Sequence, residues 1–219
     1  MMRQLTAADG HTFDCWIEPA QGTRRGGLVI LQEIFGVTDQ LKGVAARYAK
    51  LGYEVAIPAL FDRKEKVAVI PFDQATRGRD LMLSIDTADC IADTAAAVNA
   101  LKENGGKVAV IGFCWGGGLA VRAAQKLDIT GGVSFYGTRL KQFLDCPLKA
   151  PMQGHFGTTD DHTPVDLLEE VKAYLPDFEM HMYEAGHAFA NEARAATYVA
   201  EAAELAHKRT ETFLAKVVG

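Results

Sequence analysis

The chain has 219 residues, 48% of them hydrophobic and 23% charged, with a formal net charge of −5. That balance excludes a disordered chain, which would hold too few apolar residues to offset the entropy of ordering. It also argues against nucleic-acid binding, which needs a basic stripe to displace phosphate counterions; the densest positive run, Arg63-Lys64-Glu65-Lys66, is broken by an acid and reads as a solvated loop.

The first residues, Met-Met-Arg-Gln-Leu-Thr-Ala-Ala-Asp, lack the apolar core of a signal peptide, and no later run approaches the roughly 18 apolar residues that span a bilayer. A cytoplasmic protein without a membrane segment is expected. Residues 11–17 look like an edge strand, paired antiparallel. Residues 27–31 (Gly-Leu-Val-Ile-Leu) form a continuous apolar run, the pattern of a strand buried on both faces. Helical spacing of Leu41, Val44, Ala45, Tyr48 and Ala49 predicts a helix over residues 39–51, ended by Gly52. A second strand follows at 53–57 and stops at Pro58. A polar connection over 62–71 leads into an Ala-rich helical region, 72–101, which Asn104-Gly105-Gly106 breaks.

The alternation then repeats. Strands are predicted at 107–111, 129–135, 151–156 and 179–184, and helices at 116–126, 165–174 and 193–217. Strands alternating with helices imply a mostly parallel, doubly wound α/β sheet in one domain, 1–219, with helices on both faces. Such sheets bind ligands beyond the carboxyl ends of their strands, so the residues just after each strand are the candidates for chemistry. The segment 62–80 is too short for a full cap domain.

Four cysteines (Cys15, Cys90, Cys114, Cys146) stand far apart with no Cys-x-x-Cys pair, which argues against a zinc ribbon or a redox dithiol. Cys114 differs in its setting. Gly112-Phe113-Cys114-Trp115-Gly116 follows a buried strand and opens a helix, the nucleophile-elbow pattern with cysteine in the serine position. So sharp a turn leaves no room for side chains at the flanking positions and pushes the central residue outward. A helix N-terminus also favours the thiolate. The plainer alternative is a glycine-rich turn over a buried cysteine or a phosphate; the fingerprint Gly-x-Gly-x-x-Gly and the P-loop lysine are both missing.

An elbow nucleophile needs an acid and then a histidine further along the chain. The strand ending at Phe156 runs into Gly157-Thr-Thr-Asp160-Asp161-His162-Thr-Pro164, where Asp160 and Asp161 compete, each also suited to be a turn former or helix cap. Of the six histidines, His11 precedes the elbow, His155 and His181 lie within strands, His207 lies within the last helix, and His162 stands too close to the acid in sequence. His187, in the loop Glu184-Ala-Gly-His-Ala-Phe189, is the candidate base. The chemistry implied is acyl transfer, with His187 drawing the thiol proton, an aspartate holding the imidazole, and the backbone N–H groups of Trp115 and Ile34 meeting the oxyanion. Glu33, beside the first apolar strand, is either a solvated or ion-paired loop residue or a group that controls ionisation of Cys114.

Gln-Glu-Ile-Phe-Gly (32–36), Gly-Phe-Cys-Trp-Gly-Gly (112–117), Phe-Tyr-Gly (135–137), Gly-x-x-Asp (157–160) and Ala-Gly-His-Ala-Phe (185–189) stand in order. Together they resemble the dienelactone hydrolase family, α/β-hydrolases that open unsaturated lactones, across residues 10–215. The resemblance implies a triad of Cys114, Asp160 and His187; Pro164, four residues beyond Asp160, matches the family and decides against Asp161. It implies that Glu33 holds the resting thiol and helps generate thiolate when substrate arrives, and that Tyr136 lies near the substrate. It also implies a departure. The family carries an arginine shortly after the histidine, where this chain has Asn191, and another before the long helix, where Arg77 or Arg79 would have to serve. Those arginines bind the substrate's free carboxylate, and Arg194 is a further candidate.

The expected activity is therefore hydrolysis of an ester-type bond, a lactone such as a dienelactone, by a monomer or small homo-oligomer without metal or cofactor. Two rivals remain: a general carboxylesterase or thioesterase with the same triad, and a noncatalytic ligand-binding module or redox sensor built on Cys114.

Overall fold

Continuous apolar runs become the buried middle of the sheet. Strands β3 (Gly26–Leu31) and β5 (Val108–Phe113) are buried at every position in the computed structural model, which describes residues 1–219, and so are β6 (Gly132–Phe135) and β7 (Met152–Gly157). With β1 (Met2–Thr6), β2 (Thr12–Glu18), β4 (Tyr53–Pro58) and β8 (Phe178–Tyr183) they form one eight-stranded sheet in the order β1-β2-β4-β3-β5-β6-β7-β8. Only β1 and β2 bring antiparallel pairings, β1 with β2 and β2 with β4; β3 with β4 and the neighbours from β5 to β8 pair in parallel. Five α-helices lie in the connections, α1 (Asp39–Lys50), α2 (Ala75–Leu83), α3 (Thr87–Lys102), α4 (Trp115–Lys126) and α5 (Val165–Tyr174), and a sixth, α6 (Ala200–Val217), follows β8. None is long and apolar enough to cross a membrane. This is the α/β-hydrolase architecture, a mostly parallel sheet with connecting helices.

The chain divides into two compact units, Met1–Ala109 with Val218 and Val110–Val217 with Gly219. In the first, the predicted edge strand at 11–17 is instead internal, because β1 pairs outside it, Leu5 opposite Phe13 and Met2 opposite Trp16. β1 escapes notice in sequence because Leu5 is its one buried side chain, so it shows no apolar alternation. The helical region predicted at 72–101 is a 3₁₀ turn (Phe72–Gln74) and two helices. No glycine or proline separates α2 from α3. The Ser84 hydroxyl donates to the Leu81 carbonyl at 2.7 Å, Ile85 is buried, and Asp86 is extended (φ −71°, ψ 142°) as the residue before α3. The Ser84 side chain thus satisfies an end carbonyl of α2, and the extended backbone of Asp86 starts α3 afresh.

In the second unit α4, α5 and α6 accompany β6 to β8 and the part of β5 from Val110 onward. The last helix begins seven residues later than the predicted 193, at Ala200. Residues 188–199 form successive turns, with the N–H of Asn191 bonded to the Ala188 carbonyl, that of Arg194 to Asn191, that of Thr197 to Arg194, and that of Val199 to Phe189. Arg194 therefore belongs to a turn.

One ion cluster ties together three segments of the first unit. Arg63, after β4, grips fully buried Asp93 of α3 through Nε (3.0 Å) and Nη2 (2.6 Å), and reaches Asp9 of the β1–β2 turn at 2.6 Å. Burial pushes the Asp93 carboxyl up, and the Arg63 bonds oppose that. Removing one partner of a buried pair leaves the other charged and unpaired, at a cost of about 3–5 kcal/mol. Arg63→Met should lower unfolding free energy in urea by that order, and adding Asp93→Asn should recover part of it.

Candidate active site

The elbow at Cys114 is built by close approach. Cys114 has φ 52° and ψ −115°, a conformation that costs a residue with a side chain of the order of 1–3 kcal/mol. Four backbone bonds hold it there: its N–H donates to Phe135 at 3.0 Å, and its carbonyl accepts from Gly117 (3.0 Å), Gly118 (3.3 Å) and Thr138 (3.0 Å). A Cβ on Gly112 would stand 1.8 Å from the Gly116 carbonyl oxygen, and one on Gly118 would stand 2.1 Å from that of Thr138. The glycines are required because α4 starts against the end of β5 at Gly112 and against the segment after β6 at Gly118.

The cysteines separate by environment. Cys15 and Cys90 are buried, which pushes both thiols up to about 12 and keeps them protonated. Cys114 is half-buried at the N-terminus of α4.

The acid lies just beyond β7 and the histidine just beyond β8, two strands paired in parallel, so both loops leave the same end of the sheet. Asp160 is buried; its Oδ2 lies 2.8 Å from His187 Nδ1, and its Oδ1 accepts from the His162 N–H at 2.8 Å. The Thr163 hydroxyl stands 3.4 Å from Oδ2. Asp161 is exposed. The His187 loop is held by Thr159, whose N–H (3.1 Å) and hydroxyl (3.0 Å) both donate to the Ala185 carbonyl, and Ala188 takes a left-handed φ of 61° to turn the chain back.

Burial works against a charged imidazole at His187, but its hydrogen bonds to Asp160 and Cys114, and the charges of both, raise it from 6.5 to about 10. Burial likewise works against an ionised Asp160, and the bond from His187 outweighs it, holding the carboxyl below its usual value of 3.8. The arrangement sets an imidazolium beside the Cys114 side chain, with a carboxylate fixing the ring through Nδ1.

Tyr136 is buried with φ 38°, and its ring meets those of His187 (centroids 5.3 Å apart) and Phe189 (5.5 Å) edge-on. Asn191 is buried, but its Oδ1 accepts the N–H of Ala193 at 3.1 Å and so shapes the turn that follows. His162, set aside in sequence as too near the acid, stacks on His187 with centroids 4.3 Å apart and planes 25° apart. A one-dimensional reading could not find it, because the tight turn after Asp160 brings position 162 back over the imidazole.

The remaining candidates belong to the first unit. Glu33 is buried at the start of the loop after β3. Ile34 packs under α2, where a Cβ on Gly78 would come within 2.0 Å of its carbonyl oxygen. Gly78 faces inward, so its neighbours Arg77 and Arg79 are exposed, and Arg77 is paired with Glu65.

A model of the dienelactone hydrolase family matches residues 14–218. The chain belongs to the dienelactone hydrolase family. It is 33% identical over 223 residues to the carboxymethylenebutenolidase of Pseudomonas putida, covering 96% of this chain and 94% of that one, and equally to the enzyme of Pseudomonas knackmussii. Its fold is similar to the crystal structure of a putative dienelactone hydrolase from Klebsiella pneumoniae (TM-score 0.82, 24% identity, 98% and 99% of the two chains covered). A dienelactone hydrolase-like promiscuous phosphotriesterase from metagenomic libraries is also similar in fold (TM-score 0.82, 20% identity, 100% and 99% covered). Membership makes this protein a hydrolase of esters or lactones.

The raised pKa of His187 has a sign that can be checked. The folded chain holds this proton more tightly than the unfolded one, so the pair's contribution to stability is complete below pH 6.5 and is lost as pH rises toward about 10. Nitrogen-15 NMR should find the His187 imidazole protonated at pH 8, and Asp160→Asn should lower its pKa. The same substitution should flatten the decline in the urea midpoint between pH 6.5 and 10.

Proposed function

We propose that this family member cleaves its ester or lactone substrate through Cys114, Asp160 and His187, by way of a thioester. The observation that carries the reading is the 2.8 Å bond between buried Asp160 and half-buried His187, with the imidazole also bonded to the half-buried thiol of a strained elbow.

The thiolate of Cys114 attacks the carbonyl carbon, a C–S bond forms, and the carbonyl π pair moves to oxygen. Backbone N–H groups of Trp115 and Ile34 are the proposed partners of that oxyanion. The pair returns to reform the carbonyl and the C–O bond breaks. The leaving oxygen takes the proton from His187, so a lactone opens while still tethered as a thioester. Neutral His187 then removes a proton from water as it attacks the thioester, and Cys114 leaves as thiolate. Asp160 keeps one tautomer and one ring orientation throughout. Cys114→Ala should lower kcat by at least about 10³-fold with circular dichroism unchanged, the scale on which loss of a triad member is felt.

Glu33 enters from the family pattern as the group that governs when Cys114 ionises. A positioned proton acceptor is worth about 10²–10⁴ in rate. Glu33→Gln should lower kcat by about 10²-fold with a small change in KM and an altered pH profile. A purely structural Glu33 would instead lower stability and leave the profile of the folded fraction unmoved.

A specific observation favours a second substrate class. Asn191 stands where the family has an arginine, and its Oδ1 is already committed to the turn at Ala193, while Arg77 is paired with Glu65. An uncharged lactone or simple ester thereby gains over a carboxylated dienelactone. Turnover of matched lactones with and without a free carboxylate decides between them. Preference for the acid that falls in Arg77→Ala or Arg79→Ala supports the dienelactone reading; equal or better turnover of the neutral ester supports the second.

A further inference from the structure

We infer that Asp160, His162 and His187 form a site for a divalent transition metal of the zinc class, and that a metal bound there switches the enzyme off. The inference rests on the proposed role of His187 and Asp160 in the reaction.

One carboxylate oxygen and one ring nitrogen from each histidine all lie within 4.8 Å of one another. His187 Nδ1 stands 2.8 Å from Asp160 Oδ2, and His162 Nδ1 stands 3.6 Å from Oδ1 of the same carboxylate. Zinc binds imidazole nitrogen at about 2.0–2.1 Å and carboxylate oxygen at about 2.0–2.2 Å, so neighbouring donors in its shell sit roughly 3.3 Å apart. The three donors are near that spacing before any metal enters. What must move is His162, because two stacked rings do not both point a nitrogen lone pair at one centre. Its side chain is 62% exposed and can tilt, whereas Asp160 is fully buried and fixed.

Two imidazoles and one carboxylate select the zinc class over magnesium or calcium, which prefer oxygen shells. Three protein donors leave a fourth position for water. Binding replaces a proton: the Nδ1–H of His187 is lost to solvent and its lone pair goes to the metal. Asp160 then orients the ion and no longer the ring. The imidazole cannot return to the geometry that serves Cys114, and turnover stops with the thiol chemically intact. His162 contributes nothing to the chemistry itself, so it marks the difference between inhibition and catalysis.

Zinc could instead stop the enzyme by seizing the thiolate, and the test separates the two. Ester hydrolysis by wild type, His162→Ala and His162→Gln would be titrated with Zn²⁺ and restored with EDTA, while Co²⁺ binding to Cys114→Ala and to Cys114→Ala/His162→Ala would be read by visible absorption. The inference expects both His162 variants, each measured against its own zinc-free rate, to need at least 10-fold more Zn²⁺ for half-inhibition than wild type. It expects Co²⁺ d–d bands in Cys114→Ala and their loss in the double variant. Equal zinc sensitivity of wild type and His162 variants overturns it, as does a sulfur-to-cobalt charge-transfer band in wild type with no Co²⁺ binding to Cys114→Ala. Absence of ester turnover in wild type with Co²⁺ bands intact would sink the proposed reaction and leave the metal site standing.

Discussion

The second unit is organised around one hydrogen bond, from half-buried His187 Nδ1 to buried Asp160 Oδ2 at 2.8 Å. Neither group would choose its location alone: burial disfavours the charge on each, and each lends the other the charge that offsets this. The surrounding backbone restricts both. Asp160 is pinned by the His162 N–H, and the left-handed Ala188 and the double bond from Thr159 to Ala185 fix the loop that carries the imidazole. A carboxylate–imidazole pair tied from both sides holds its tautomer without needing substrate to complete it, which is the form of preorganisation acyl transfer requires.

Four residues of this unit, Cys114, Tyr136, Arg139 and Ala188, have positive φ although none is glycine. Cys114 and Tyr136 each follow the end of a strand and Ala188 follows the histidine, and Cys114 is held by four backbone bonds. The sheet tolerates this because its middle strands are buried at every position and offer a rigid base. Local conformational cost is thereby carried by the hydrophobic core, and Cys114, Asp160 and His187 stand where the helix and loops begin.

Much of this was legible in one dimension because the signals were local. Apolar runs marked the central strands, and the crowding of Gly112 and Gly118 is a steric necessity written into sequence. The order nucleophile, acid, histidine made His187 the candidate among six histidines, and its Nδ1 lies 2.8 Å from Asp160 Oδ2. What escaped was nonlocal. β1 has one buried side chain and becomes a strand only because β2 offers it an edge. The break between α2 and α3 lies in side-chain hydrogen bonding at Ser84 and the extended Asp86, which propensity does not see. Asn191 looked like a replaced substrate ligand and is buried as the acceptor of a turn. His162 looked too close to the acid and reaches the imidazole face because the turn is tight.

The central claim is that bond cleavage passes through a thioester on Cys114. It is tested most directly by quenching the enzyme in acid within milliseconds of mixing with an activated ester, then measuring intact mass and the mass of the Cys114 peptide. The account predicts an added acyl group on Cys114 that forms before steady state and disappears as substrate is exhausted. Product released at the full rate from an enzyme that never gains that mass, or gains it on another residue, would contradict it.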